Sequence, residues 1–156
     1  MKENNGKKVE VIIREMFQWA GCNPVPFGYE ESFPTLAALE ALKAKGDPNG
    51  ARVPLRIRYM PDMTIVRKNK KGVQKVSLVE VKYRKVVNPK EVLRWSRQYA
   101  NQWPQTLLLI ATPKGIFADS VSTLVKGKGV VRALSTTLIP SHFQARAVAR
   151  IQRECR

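Results

Sequence analysis

Three charged residues near the middle of the chain are spaced in a way that could support chemistry on phosphate esters. Asp62 follows Pro61, and Glu80 and Lys82 stand on either side of Val81 in a later segment. Two carboxylates that lie side by side on a sheet repel each other unless a divalent cation lies between them. Lys82 would project from the same strand face as Glu80, because side chains alternate along a strand with a period of two. The pattern indicates a metal-dependent phosphodiesterase site.

A β-hairpin is the element that must bring these residues together. The segments 63–67 and 76–83 are rich in β-branched and aliphatic residues, which is typical of strands. The link between them ends in Gly72, which can adopt the positive φ that a turn requires. Pairing that is symmetric about Lys71 would place the two carboxylates beside each other.

Helices are predicted both before and after the hairpin. Apolar residues at helical spacing predict a first helix over 9–20, ended by Gly21, and a second helix over 35–45. A third helix is predicted over 90–102, after an Asn-Pro pair, and the apolar run 105–112 is typical of a strand buried on both faces. Strand, helix and strand in this order predict a parallel crossover, and hence an α/β fold with a mixed central sheet flanked by helices.

The remaining segments complete one predicted domain over 1–156. The stretch 23–33 predicts a turn into a short edge strand. Beyond the buried strand, 116–125 predicts a short helix and 127–134 a weak strand. A basic final helix is expected over 141–154, with its first serine as the N-terminal cap.

The charge of the chain predicts a polyanionic partner. There are 28 Lys and Arg residues against 12 Asp and Glu residues, so the formal net charge is +16. A membrane surface is the competing polyanion, but the longest clearly apolar run, 107–111, is far too short to span a bilayer. The N-terminal sequence lacks the apolar region of a signal peptide, which favours a cytoplasmic location. Cys22, Cys155 and the single histidine cannot form an ordinary zinc site without carboxylates.

Asp62, Glu80 and Lys82 together resemble the signature of the PD-(D/E)xK nuclease superfamily, with the hairpin in the expected place. Members commonly carry a further acidic residue on the first helix. The segment 10–21 is similar in register to the opening helix of archaeal Holliday-junction resolvases, where a glutamate precedes a helix-ending glycine.

Other features are more similar to transposon-end nucleases, very-short-patch repair nucleases and some homing endonucleases. These features are the Tyr29-Glu30 segment, Tyr59-x-Pro-Asp62 and Val79-Glu-Val-Lys-Tyr83. The resemblance covers roughly 9–112. The stretch 35–54 departs from the compact resolvases and is interpreted as an insertion.

The resemblance implies a restriction-endonuclease-like fold and a Mg²⁺-dependent DNA endonuclease, in which Mn²⁺ can substitute, acting on duplex or branched DNA. Asp62 and Glu80, with Glu10 and the carbonyl of Val81, would hold one or two metal ions through oxygen ligands. Lys82 would orient the attacking water and counter the charge that develops on the phosphate. A homodimer is expected, because one site cuts one strand.

The acidic residue from the first helix has three candidates. Glu10 is favoured, but Glu15 and Glu30 are alternatives, and Glu10 and Glu15 lie about 140° apart around a helix, so only one of them can serve the site. Gln98, on the helix after the hairpin, is a further candidate for a polar contact to the nucleophile or to DNA.

Basic residues around the hairpin, on the helix after it and on the final helix are predicted to contact DNA. They are Arg67, Lys68, Lys70, Lys71, Lys75, Arg84, Lys85, Lys90, Arg94, Arg97, Arg146, Arg150 and Arg153. Readout of bases is expected from Lys90, Arg94 and Arg97 or from the hairpin tip. The alternative is a non-catalytic basic DNA- or RNA-binding protein in which the two carboxylates form structural ion pairs.

Overall fold

A computed structural model of the chain describes residues 4–28 and 32–155. The strands are β1 (Asn23–Pro26), β2 (Met63–Lys68), β3 (Gln74–Tyr83), β4 (Thr106–Thr112) and β5 (Gly115–Ser120). The helices are α1 (Asn5–Trp19), α2 (Pro34–Ala44), α3 (Leu55–Arg58), α4 (Pro89–Gln102), α5 (Val121–Lys126) and α6 (Ser141–Glu154). The predicted Tyr29-Glu30 strand segment lies outside the described residues.

The five strands of the described residues form one sheet in the order β1-β2-β3-β4-β5. β3 and β4 are parallel and are joined through α4, whereas the other neighbouring strands are antiparallel. The α/β fold with a mixed central sheet flanked by helices is therefore confirmed. No helix within the described ranges is long and apolar enough to cross a membrane.

The hairpin of β2 and β3 has the predicted register. Met63 pairs with Val79 and Arg67 pairs with Lys75, so the ladder is symmetric about Lys71. In the turn, the side chain of Asn69 accepts hydrogen bonds from two backbone N–H groups, and Gly72 has a φ of 77°. A side-chain acceptor and a glycine at positive φ therefore fix the turn, and the turn fixes the register.

The two faces of the sheet bury different helices, because successive side chains of each strand point to opposite faces. One core joins α1 and α6 to Val79 and Val81 of β3. The other joins α4 and α5 to Leu108 and Ile110 of β4. Glu80 pairs with Leu108 in the parallel ladder, so its side chain points toward the face that α4 covers.

The helix before the hairpin ends, and the helix after it begins, with the signals that the sequence predicts, although α1 begins at Asn5 and not at residue 9. α1 is followed by Gly21, whose φ is 78°. Asn88 caps α4 by accepting a hydrogen bond from the backbone N–H of Lys90, and Pro89 occupies the first turn. The capped α4 carries Trp95 and Tyr99 over the sheet, and both side chains are buried.

Three predictions about the second half of the chain are wrong in part. The segment 116–125 is predicted to pass through a short helix; its second half lies in α5, as predicted, but its first half belongs to β5. The segment 127–134 forms no strand; it contributes one isolated bridge, between Ala133 and Phe117. Ser141 is the first residue of α6 and makes no capping hydrogen bond. Near the hairpin, the four-residue helix α3 was not predicted.

Candidate active site

An open cleft of about 520 Å³ lies where α1, the segment from α3 to β2, β3 and α4 meet. Its charged lining brings together residues that are far apart in the sequence. They are Lys7, Glu10, Arg14, Arg58, Asp62, Glu80 and Lys82. The four residues predicted to be catalytic are all in this set, so the fold places them along one surface.

Asp62 stands immediately before β2 and is held from two sides. Its backbone carbonyl accepts hydrogen bonds from the N–H groups of Phe27, at 2.9 Å, and Gly28, at 3.2 Å. Its side-chain Oδ2 accepts a hydrogen bond from the backbone N–H of Val81 at 2.8 Å. One step beyond the Met63 pair of the ladder, Asp62 therefore lies opposite Glu80, as the symmetric hairpin predicts.

Glu80 is only 3% exposed, although it is a charged residue at the edge of an open cleft. Its Oε1 contacts the Nζ of Lys82, two residues further along the same strand face. Its Oε2 is buried and has no hydrogen-bond partner in the part of the chain that the structure describes. A buried carboxylate oxygen without a partner is unfavourable, and a cation or a donor from a ligand would relieve it.

The ammonium group of Lys82 is positioned by aromatic rings as well as by Glu80. Its Nζ lies 5.8 Å from the ring centroid of Trp95 and 5.9 Å from that of Tyr99. Both rings are attractive to a cation at this distance. Trp95 and Tyr99 are both buried, and they form the wall against which Lys82 lies.

The electrostatics of the cleft favour an added positive charge. Burial, then the charge of Glu80, and to a smaller extent the charge of Glu10, raise the pKa of Asp62 to about 8. The hydrogen bond from Val81 and the charge of Lys82 oppose this rise without cancelling it. Burial, the charge of Glu80 and the nearness of the Tyr99 hydroxyl to the Glu80 carboxylate also raise the pKa of Tyr99, although Oε2 of Glu80 has no partner in hydrogen-bonding geometry among the described residues. A cation bound beside Asp62 would favour its ionised form and lower the pKa of Asp62.

The structure separates the candidates for the acidic residue of the first helix. Glu10 lines the cleft, and its Oε1 accepts a hydrogen bond from Arg14 at 3.0 Å. Glu15 contacts Arg150 of α6 and does not line the cleft. Glu30 lies outside the described residues. Between the two glutamates that can be compared, the geometry favours Glu10.

The donor set fits a hard divalent cation, although the side chains do not form a complete metal cluster. No group of three or more His, Cys, Asp or Glu side chains within residues 4–28 and 32–155 is close enough to hold a metal ion as it stands. Asp62 and Glu80 nevertheless lie side by side, and the unpartnered Oε2 of Glu80 is a ready oxygen ligand. The role of the Val81 carbonyl stays a prediction, as only its N–H is shown to bind Asp62.

Several predicted DNA contacts are engaged within the protein instead. Arg84 donates two hydrogen bonds to Glu91, at 2.9 and 2.6 Å, and lies over the ring of Trp95. Arg150 pairs with Glu15 and Glu154. The pairs lower the pKa of Glu91 and raise that of Arg150. Both arginines therefore contribute to packing and are less available to phosphate.

Other members of the predicted set remain on the surface. Exposed residues include Lys68, Lys70, Lys71 and Lys75 of the hairpin and Lys85, Lys90, Arg94 and Arg97 after it. Arg153 is exposed beside Glu154, and Arg146 stacks on the ring of Trp19 at 4.1 Å. Neither the predicted DNA-contacting residues nor Gln98 is among the described residues that line the cleft.

Among the described residues, three cations line the cleft besides Lys82, and the sequence pattern did not predict them. Lys7 and Arg14 lie on α1, and Arg58 ends α3. One signal was present: Arg14 follows Glu10 by one helical turn, which places the two side chains on the same face. Arg58 had no such signal, because its place in the cleft depends on a short helix that the sequence pattern does not reveal.

No protein-family model matches this chain, and no curated protein matches its sequence. A function must therefore be inferred from the cleft itself.

Proposed function

We propose that the chain is a Mg²⁺-dependent endonuclease that hydrolyses phosphodiester bonds in duplex or branched DNA, of the PD-(D/E)xK type. One observation supports this above all others. The hairpin register places Asp62 opposite Glu80 at the wall of an open cleft, with the ammonium of Lys82 on the same carboxylate. Two carboxyl groups are held together there, and one buried oxygen of Glu80 is left unpartnered among the described residues, which is unfavourable unless the site serves a ligand.

Asp62 and Glu80, with Glu10 from α1, are the residues that would hold the cation. Carboxylate oxygens are the ligands that Mg²⁺ and Mn²⁺ prefer. Bound Mg²⁺ would activate a water molecule as the nucleophile and neutralise charge on the phosphate. The hydrogen bond from Val81 orients Asp62, so this carboxylate is preorganised for the role.

Lys82 has the second role in the proposed reaction. Its Nζ carries three N–H donors, and its contact with Glu80 leaves donors that can reach the attacking water or a phosphate oxygen. A fixed cation at this place stabilises negative charge that develops on the phosphate as the bond to the leaving oxygen breaks. Trp95 and Tyr99 restrict the positions open to the ammonium group, so little conformational entropy is lost when it is held in place for the reaction.

DNA is the proposed substrate because of the charge of the protein. A net charge of +16 attracts a polyanion, and the lysines around the hairpin turn are exposed. Cutting both strands of a duplex requires two sites, so we propose that the chain acts as a homodimer.

A plasmid-nicking assay tests this function. Supercoiled plasmid should be nicked or cut with Mg²⁺ or Mn²⁺ and should remain intact with EDTA. Asp62→Asn, Glu80→Gln and Lys82→Met should lose cleavage while retaining DNA binding. Asp119→Asn is a matched control, since Asp119 is a buried strand carboxylate that pairs with Arg132 away from the cleft. Cleavage by all three cleft variants at the wild-type rate would refute the proposal.

The second candidate is a non-catalytic basic protein that binds DNA or RNA. It is favoured by the ion pairs in the cleft, Lys82 with Glu80 and Arg14 with Glu10, which partly satisfy the carboxylates without a metal. It predicts binding that needs no metal and weakens steeply with salt, and no cleavage of linear, nicked, branched or single-stranded substrates.

A further inference from the structure

The ion-pair partner of Arg58 lies outside the cleft, unlike the partners of Lys82 and Arg14. Lys82 pairs with Glu80, and Arg14 pairs with Glu10, so each offsets a carboxylate that lines the cleft itself. Arg58 pairs instead with Glu40 of α2, at 2.5 Å, and Glu40 is not among the cleft-lining residues. The charge of Arg58 is therefore held by a partner outside the cleft.

The guanidinium of Arg58 is both anchored and accessible. Its side chain is 39% exposed, while that of Glu40 is 23% exposed. A guanidinium has five N–H donors in a fixed plane, and the contact to Glu40 is made through one nitrogen, Nη2. The remaining donors match the geometry of two phosphate oxygens.

The short helix that carries Arg58 is fixed on α4. The indole N–H of Trp103 donates to the backbone carbonyl of Arg56 at 2.8 Å, and the Arg56 guanidinium lies 5.3 Å from the Trp103 ring centroid. The ring of Tyr59 packs edge-on against that of Tyr99, with centroids 5.9 Å apart. Because Asp62 follows only a few residues later, the same contacts locate Arg58 relative to the acidic residues.

We propose that Arg58 is a DNA-phosphate contact of the cleft, and that Glu40 positions it, so that helix α2 of the 35–54 insertion serves the site. The proposal deepens the endonuclease function and rests on it. A backbone phosphate that approaches Glu10, Asp62 and Glu80 is repelled by these side chains when they are ionised. Arg58 supplies a positive charge that is not paired with any of the three.

Equilibrium binding of a short fluorescein-labelled DNA duplex in EDTA tests the contact without cleavage. Arg58→Gln should weaken binding about 10-fold and should reduce the slope of log K against log salt by about 1. Arg58→Lys keeps the positive charge but loses the planar set of N–H donors, so its affinity for the duplex should lie between those of the wild type and Arg58→Gln. Arg52→Gln removes one exposed charge from the insertion loop and is the matched control, with near wild-type binding.

A double-mutant cycle tests the positioning role of Glu40. Glu40→Gln should weaken binding of the duplex in the wild-type background and should change nothing further in the Arg58→Gln background. In the Mg²⁺ cleavage assay, Arg58→Gln should raise KM more than it lowers kcat. Thermal unfolding establishes that each variant is folded.

The outcomes separate this inference from the endonuclease function. If folded Arg58→Gln and Arg58→Lys bind the duplex with wild-type affinity and salt slope, the inference is refuted, whatever the cleavage assay shows. If the wild-type chain never cleaves DNA but Arg58→Gln still loses binding and slope, the endonuclease function is refuted and the phosphate contact is supported.

Discussion

The backbone N–H of Val81 donates a hydrogen bond to Oδ2 of Asp62 at 2.8 Å, across the open end of the hairpin. This bond ties the residue before β2 to the residue that follows Glu80 in β3. Asp62 therefore cannot turn away from Glu80 without losing a hydrogen bond in a partly buried place. The proximity of the two carboxylates is built into the backbone pairing and does not depend on a chance side-chain conformation.

The raised pKa of Asp62 predicts how stability depends on pH in the metal-free protein. The folded carboxyl has a pKa of about 8, whereas an unfolded aspartate titrates near pH 4. Between these values the folded state binds more protons than the unfolded state, so the free energy of unfolding should fall as pH rises. Urea unfolding in EDTA across this range measures the fall.

Asp62→Asn is the control for that titration. The variant lacks the proton site, so its stability should depend less on pH, and near pH 8 it should be more stable than the wild type by an amount on the order of a few kcal/mol. Equal pH dependence of stability in the two proteins would show that the pKa of Asp62 is not raised in the folded state.

Divalent metal should reverse this loss of stability. A cation that binds only the folded state stabilises it by mass action, so thermal unfolding should shift upward with Mg²⁺ or Mn²⁺, and more so at the higher pH. Glu80→Gln removes one carboxylate and should abolish most of the shift. An equal shift in wild type and variant would place the metal elsewhere.

Glu10 and Glu15 of α1 should have opposite phenotypes. Glu10→Gln alters the cleft and should reduce Mg²⁺-dependent cleavage, with little effect on stability. Glu15→Gln breaks a partly exposed ion pair with Arg150, so it should lose at most about 1 kcal/mol of stability and retain cleavage. Cleavage kinetics and urea unfolding of both variants provide the comparison; the reverse pattern would assign the site to Glu15.

The hairpin turn offers a test of register that leaves the cleft untouched. Gly72 has a φ of 77°, and a Cβ atom there would meet no other heavy atom within 4 Å. Gly72→Ala should therefore cost about 1 kcal/mol of stability for backbone reasons alone. Cleavage should persist, because the pairing of Asp62 with Glu80 does not change. Loss of cleavage in a folded Gly72→Ala protein would mean that the turn contributes to the site directly.

Much of the fold follows from local sequence signals. The spacing between the two strand-like segments centres on Lys71, and a symmetric ladder about that residue is what the structure has. The cap at Asn88 and the glycine at position 21 likewise mark helix ends through short-range chemistry. Such features are predictable because the residues that cause them are neighbours in the chain.

The remaining features depend on contacts between distant segments. β5 exists because it pairs with β4, whereas its own sequence also suits a helix. The segment 127–134 has strand-like residues but forms only one bridge to β5, flanked by backbone hydrogen bonds from Ala118 to Arg132 and from Leu134 to Ile116. Arg58 reaches the cleft through a four-residue helix that is held by Trp103 and Glu40, which no period in the sequence indicates.

The charged residues show the same limit. Arg84 and Arg150 contribute to the basic composition that is typical of DNA-binding proteins. In the structure, however, they form ion pairs with Glu91 and Glu15. A count of basic residues predicts that phosphate will be bound and does not identify which side chains remain available for it.

Anomalous scattering from crystals of the protein soaked in Mn²⁺ would locate the cation directly. We expect a peak between the carboxylates of Asp62 and Glu80, within metal-ligand distance of both, that vanishes in Glu80→Gln crystals treated in the same way. Crystals that show Mn²⁺ bound only at other positions, with Asp62 and Glu80 paired as they are in the metal-free protein, would contradict the proposed metal site.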